Sequence, residues 1–341
     1  MCDERTVTEN ADYLRGKKLT RRQFGAVSAG AGLSILLPRA ANAQAVSEIE
    51  LDVTTPDGVA DSYFVHPSNG THPGVLIWPD AFGLRPAKKQ MAKRLAESGY
   101  SVLVVNPYYR SQRSPIVNTT NFAEVRDIVL PLMQSLTPDI QARDAQAFIS
   151  FLDNQPSVDS NRKMGTMGYC MGGPITMRTA AALPDRVGAA ASFHGGGLVT
   201  DQPDSPHLLV PQMKAHYLFA IAANDDEGQP EAKDVLRDAF AEAGLPAEIE
   251  VYSGAMHGWC PPDSTVYHEA QAEKAWSRLL VLFETALAQR RSAPYSSKEG
   301  SEPPLRRRLA TDRRTFGYTL GVFRRRPATL LSFLQCLVRY D

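Results

Sequence analysis

Cysteine is scarce in this chain. Four residues (Cys2, Cys170, Cys260, Cys336) are spread over 341 positions, too few and too scattered for a disulfide framework, and no Cys-x-x-Cys or Cys/His cluster marks a structural zinc. An excess of charge of one sign is missing as well, since 37 Lys and Arg balance 37 Asp and Glu. Long apolar runs are missing too: the candidates near 25–37 and 328–338 are shorter than the roughly 20 residues a spanning helix needs, so no stable membrane insertion is expected. Histidines 66, 72, 207, 216 and 268 form no i, i+4 pair, and neither a metal nor any other cofactor is expected. What remains is ordinary soluble-globular usage, 43% hydrophobic and 22% charged.

The balance of charge conceals a segregation. Residues 1–43 hold 7 Lys and Arg against 4 Asp and Glu, residues 291–341 hold 11 against 4, and the 247 residues between them hold 19 against 29. An acidic body argues against nucleic acid as a partner, because phosphate binding needs a basic face. The first segment has the pattern of an export signal. A polar stretch leads to Thr20-Arg21-Arg22-Gln23-Phe24, an uncharged small-residue run covers 25–37, and Ala41-Asn42-Ala43 supplies a small-x-small cleavage site. The paired arginines resemble the twin-arginine type. That implies passage through the twin-arginine export machinery and a periplasmic or secreted location. Residues 291–341, which open on a Ser/Pro/Glu-rich linker over 292–304, are expected to be a basic, disordered extension.

The expected fold class is α/β. Between 44 and 290 strand-like and helix-like stretches alternate. Apolar runs at 74–78, 101–105, 164–168, 187–193 and 216–222 are uniformly hydrophobic, as strands buried on both faces are. Helical spacing covers 87–98, 140–152, 232–243 and 267–287. Segments 48–53 and 61–65 alternate instead, which suggests an antiparallel hairpin at one edge. The reading is one domain with a mostly parallel sheet and helices on both faces.

The most informative stretch is Gly168-Tyr169-Cys170-Met171-Gly172-Gly173, between an expected strand and an expected helix. Gly-x-nucleophile-x-Gly in that context is a sharp turn that exposes a nucleophile, with glycines where a side chain would clash. The helix N-terminus that follows favours a thiolate. A nucleophilic cysteine needs a base, and the base an orienting acid, in the chain order nucleophile, acid, histidine. Downstream lie Asn224-Asp225-Asp226, after one strand, and Met256-His257-Gly258, after the last. His257 is the expected base and Asp225 the expected acid, with Asp226 the alternative. Phe193-His194-Gly195-Gly196-Gly197 looks like a lipase oxyanion motif but follows the nucleophile, so it reads as a glycine-rich loop near the pocket. Cys260 is expected as a semi-buried thiol.

On these motifs residues 50–288 resemble the dienelactone hydrolases, a branch of the α/β-hydrolase fold with a Cys-Asp-His triad. The resemblance implies an oxyanion hole made by the backbone N–H groups of Ala81 and Met171. It places Asp80, where the family has Glu, as a gate beside the resting cysteine. It also assigns Tyr108 and Arg110, from Tyr108-Tyr109-Arg110, to substrate binding. A second family arginine falls on Pro261, so a carboxylate clamp is incomplete. The implied activity is hydrolysis of a small ester or lactone, with a monomer favoured. The alternatives are a redox-sensing thiol module and a thioesterase or acyltransferase on the same fold.

Overall fold

The computed structural model describes residues 4–16, 37–38 and 43–288. The arginine pair, the apolar run up to residue 36 and the basic stretch 291–341 lie outside the described residues. Eight strands form one sheet in the order β1-β2-β4-β3-β5-β6-β7-β8. They are β1 (Val46–Thr55), β2 (Gly58–Pro67), β3 (Gly74–Trp78), β4 (Ser101–Val105), β5 (Met164–Tyr169), β6 (Val187–Phe193), β7 (His216–Ala222) and β8 (Ala247–Tyr252). The β1–β2 hairpin is antiparallel and β2 runs antiparallel to β4; every other pairing is parallel. This is the α/β architecture expected from the alternation, with the hairpin at one edge.

Alternate residues of the central strands feed two different cores, which is why those strands are apolar throughout. Val75, Ile77, Met167 and Ala189 meet helices α2 (Pro86–Glu97) and α8 (Glu269–Leu287) through Met91, Leu279 and Phe283. Leu76, Leu103 and Phe219 face the other way, toward Phe148, Ile175 and Phe240. Those last three side chains come from α4 (Pro138–Asp153), α5 (Gly172–Ala182) and α7 (Ala232–Glu242). The exposed edge strand β1 carries Glu48, Glu50 and Asp52, paired with Lys93, Lys89 and Arg113. Charge on an edge discourages pairing with another chain.

Three helices were not anticipated. Helix α1 (Glu4–Gly16) precedes the arginine pair. Helix α3 (Phe122–Ser135) contains Pro131, which breaks the usual reading of a helix, but Asn121 caps it by accepting from the Ala123 N–H at 3.2 Å. The third is the six-residue α6 (Ala223–Gly228), which holds Asp225 and Asp226 where a loop was expected. Chain order reverses at β3, whose neighbours β4 and β5 lie on opposite sides. Such a reversal opens a crevice at the carboxyl ends of the strands, and the motif residues follow the ends of β3, β5, β6, β7 and β8.

Candidate active site

Cys170 follows β5 with φ +54°, in the left-handed region that side-chain-bearing residues avoid. The strain is of order 1–3 kcal/mol and is held by the turn. The Cys170 N–H donates to Phe193 O at 3.0 Å, and Gly173 N–H donates to Cys170 O at 3.0 Å. The flanking glycines are required by contact. A Cβ on Gly168 would stand 2.1 Å from the Gly172 carbonyl oxygen, and one on Gly172 would stand 2.5 Å from the Trp78 oxygen. Helix α5 begins at Gly172, directly after the thiol.

His257 is 2% exposed. Its Nδ1 lies 2.8 and 3.0 Å from the two carboxylate oxygens of Asp225. Burial alone would lower the proton affinity of the imidazole. The Asp225 charge, then the Cys170 side chain by charge and hydrogen bond, override it and push the pKa up to about 10. With Nδ1 committed to Asp225, Nε2 is the nitrogen left to act on Cys170. The structure therefore pairs the imidazole with the Asp225 carboxylate, and His257 and Cys170 line the same cleft. Asp226 is turned elsewhere, onto Lys233 Nζ at 2.6 Å. Sequence reasoning missed Asn224, 4% exposed, whose Oδ1 accepts from the His257 backbone N–H at 2.8 Å. It ties the acid-bearing helix to the histidine loop. A polar residue beside the acid was the only available signal.

Asp80, after β3, is held by other partners than the thiol. Arg85 reaches it through Nη1 at 2.6 Å and Nη2 at 3.0 Å, and Lys88 Nζ lies 2.9 Å away. Burial would raise its pKa, but these two cations hold the carboxyl below the usual range. Lys88 is fully buried with Nζ 3.7 Å from the centre of the Tyr169 ring. Ala81 lines the cleft and Met171 caps α5. Tyr108 sits behind both: its hydroxyl lies 3.1 Å from Ala81 O and 3.0 Å from Met171 Sδ, so it buttresses the two segments rather than facing the cleft. Arg110 is also placed outside the cleft lining. It grips Asp144 through Nη1 at 2.8 Å and Nη2 at 2.6 Å, and Asp57 through Nη2 at 2.7 Å.

Cys170, His194 and His257 open onto one cleft of about 320 Å³. His194 takes φ +40°, is 1% exposed, and its ring centroid lies 5.1 Å from that of His257. Burial, then the charge on His257, hold it well below its usual pKa, so it is neutral. Cys260 is a buried free thiol whose pKa burial raises. Helix α1 supplies one wall of the cleft, with Thr6, Val7 and Leu14 among its lining. It is fastened to the loops of the site: Asn10 Nδ2 donates to His257 O at 3.2 Å, and Asn224 Nδ2 donates to Glu9 at 2.8 Å.

Comparison with known proteins places the fold and the family. The profile of the Dienelactone hydrolase family matches residues 60–287. A Salmonella typhi protein provisionally named carboxymethylenebutenolidase is 28% identical over 244 residues, 70% of this chain and 84% of its own. The carboxymethylenebutenolidase of Rhodococcus opacus is 27% identical over 229 residues, 66% of this chain and 86% of its own. A Klebsiella pneumoniae crystal structure, provisionally titled a dienelactone hydrolase, superposes with a TM-score of 0.61 at 24% identity, covering 71% of this chain and 99% of the other. The match of that profile over most of the eight-stranded α/β sheet places the chain in the dienelactone hydrolase family, as a hydrolase of the ester- or lactone-cleaving type.

Proposed function

We propose that the chain cleaves a small ester or lactone through a Cys170–His257–Asp225 triad and a thioester intermediate. The observation that carries this is the buried imidazole of His257, gripped at Nδ1 by Asp225 and raised in proton affinity first by that carboxylate and then by Cys170. The Cys170 thiolate attacks the carbonyl, and the carbonyl π pair moves onto oxygen. Backbone N–H groups of Ala81 and Met171 receive that oxyanion; removing one such donor typically costs about 3–4 kcal/mol. The tetrahedral adduct collapses, the C–O bond breaks, and His257 gives its proton to the leaving alkoxide. The neutral imidazole then takes a proton from water, hydroxide adds to the thioester, and Cys170 leaves as thiolate. Asp225 keeps the imidazole in one tautomer throughout.

Asp80 and Tyr108 act in this reading by position, holding the Ala81 segment, and Arg110 belongs to a surface ion-pair cluster. The leader pattern of 1–43 supports export, and cell fractionation checks it. The mechanism is tested by intact-protein mass spectrometry with a slowly deacylating ester. An acyl adduct should form on the wild type and be missing from Cys170→Ala, with ester turnover lost in the same variant. Undiminished turnover by folded Cys170→Ala removes the proposal. A reactive thiol with no acyl adduct would favour the redox-sensing alternative.

A further inference from the structure

We propose that the cleft is built for an uncharged acyl group, and that Asp263 enforces this by neutralising Arg85. The proposal deepens the hydrolase reading above by naming its substrate class. It rests on the accounting of one guanidinium. Among the described residues lining the cleft, Arg85 is the one side chain with a fixed positive charge. A guanidinium has five N–H donors, and all five of these have acceptors. Nε donates to Asp263 Oδ2 at 2.7 Å. Nη1 donates to Asp80 Oδ1 at 2.6 Å and Gly83 O at 3.4 Å. Nη2 donates to Asp80 Oδ2 at 3.0 Å and Asp263 Oδ1 at 3.0 Å. No donor remains for a substrate carboxylate.

The charge adds up the same way. Asp80 and Asp263 carry two negative charges against Arg85 and Lys88. Burial pulls the proton affinity of Lys88 down and Asp80 pulls it back up, so the cluster sums to zero or to one negative charge. In the mechanism proposed above, the Cys170 thiolate and the His257 imidazolium cancel each other. Arg110 is spent on Asp57 and Asp144 outside the lining, and Pro261 contributes an apolar surface to the wall. Phe82 and Phe122 extend that surface. A carboxylate entering here would lose water and, among the described lining residues, find no cation whose charge is not already matched; a desolvated charge without a counter-charge is strongly disfavoured. The name carboxymethylenebutenolidase, carried by the relatives, denotes a lactone with a carboxy group. The charge balance separates this chain from that substrate.

The test compares two esters of like shape. The p-nitrophenyl monoester of adipic acid carries a carboxylate where the p-nitrophenyl ester of 6-methylheptanoic acid carries an isopropyl group. The full chain should prefer the uncharged ester by about 100-fold or more in kcat/KM. Asp263→Asn leaves the cluster one unit more positive and should narrow that ratio by about 10-fold, as should Pro261→Arg, which adds a cation to the wall directly. Equal rates, or preference for the adipate ester, overturn the proposal. An unchanged ratio in folded Asp263→Asn and Pro261→Arg overturns the role given to charge. Binding of adipic acid monoamide and 6-methylheptanamide to Cys170→Ala, followed by calorimetry, reads the same preference without chemistry. Neither ester cleaved while the neutral amide binds more tightly would sink the hydrolase reading alone; the carboxylate amide binding as tightly would sink the charge proposal alone.

Discussion

Gly168→Ala offers a quantitative test of the nucleophile turn. The new methyl carbon would lie 2.1 Å from the Gly172 carbonyl oxygen and 2.3 Å from its carbon, both backbone atoms. Real contacts of that kind do not come closer than 3.0 Å, so the start of α5 must retreat by about 1 Å or the end of β5 must bend. Cys170 and Met171 sit between the two and move with them. A displacement of about 1 Å at reacting groups costs on the order of 100-fold in rate, and the overpacking itself about 1–3 kcal/mol of stability. Gly244→Ala separates these effects. Gly244 has φ +65° with nothing within 4 Å of an added Cβ, so its cost of about 1–2 kcal/mol is backbone strain remote from the chemistry. Ester kcat/KM and urea denaturation should then show two variants of similar stability, only one of them about 100-fold slower. A folded Gly168→Ala enzyme within 3-fold of wild type would refute the geometric argument.

Asp225→Asn removes the largest influence raising His257. Because the folded pKa near 10 lies above the ordinary value of 6.5, the stabilisation is fully present below about 6.5 and is lost as pH rises toward about 10. The variant should lose that pH-dependent part of its melting temperature, shift the alkaline limb of kcat/KM to lower pH, and fall about 10³–10⁴-fold in rate; an unmoved limb counts against the pairing. Asn224→Ala strands the buried His257 N–H and should cost about 1–3 kcal/mol in denaturant titration, with kcat reduced more than KM; an unaltered kcat would show that His257 needs no such anchor. A chain beginning at Gln44 lacks α1, so kcat/KM for a long-acyl ester should rise several-fold while that for an acetyl ester stays near the full-length value. No gain on the long ester would mean that α1 does not obstruct the cleft.

Much of the architecture was legible because burial on both faces forces continuous apolar strands, and runs such as 101–105 and 187–193 show it directly. The pairing of His257 with an aspartate was legible in part. Glycines flanking Cys170 advertise a turn too tight for side chains, and Asp225 and His257 each follow a strand. The choice of Asp225 over Asp226 was not, since adjacent carboxylates differ only in which way a one-turn helix aims them. Helix α3 escaped notice because Pro131 spoils its local signal, although tertiary packing of Phe122, Val125 and Val129 carries it.

The alternation of strands and helices, the edge hairpin and the glycine-flanked turn at Cys170 were determined by the sequence alone, because they depend on local patterning and on residue types at short spacing. The fate of the charges was decided only by the tertiary structure. Asp80, Arg85 and Lys88 are brought together with Asp263, which lies 178 positions beyond Arg85, and Arg110 is claimed by Asp57 and Asp144 instead. Ion pairing inside a protein is settled by which groups share a desolvated space, and sequence separation carries no information about that.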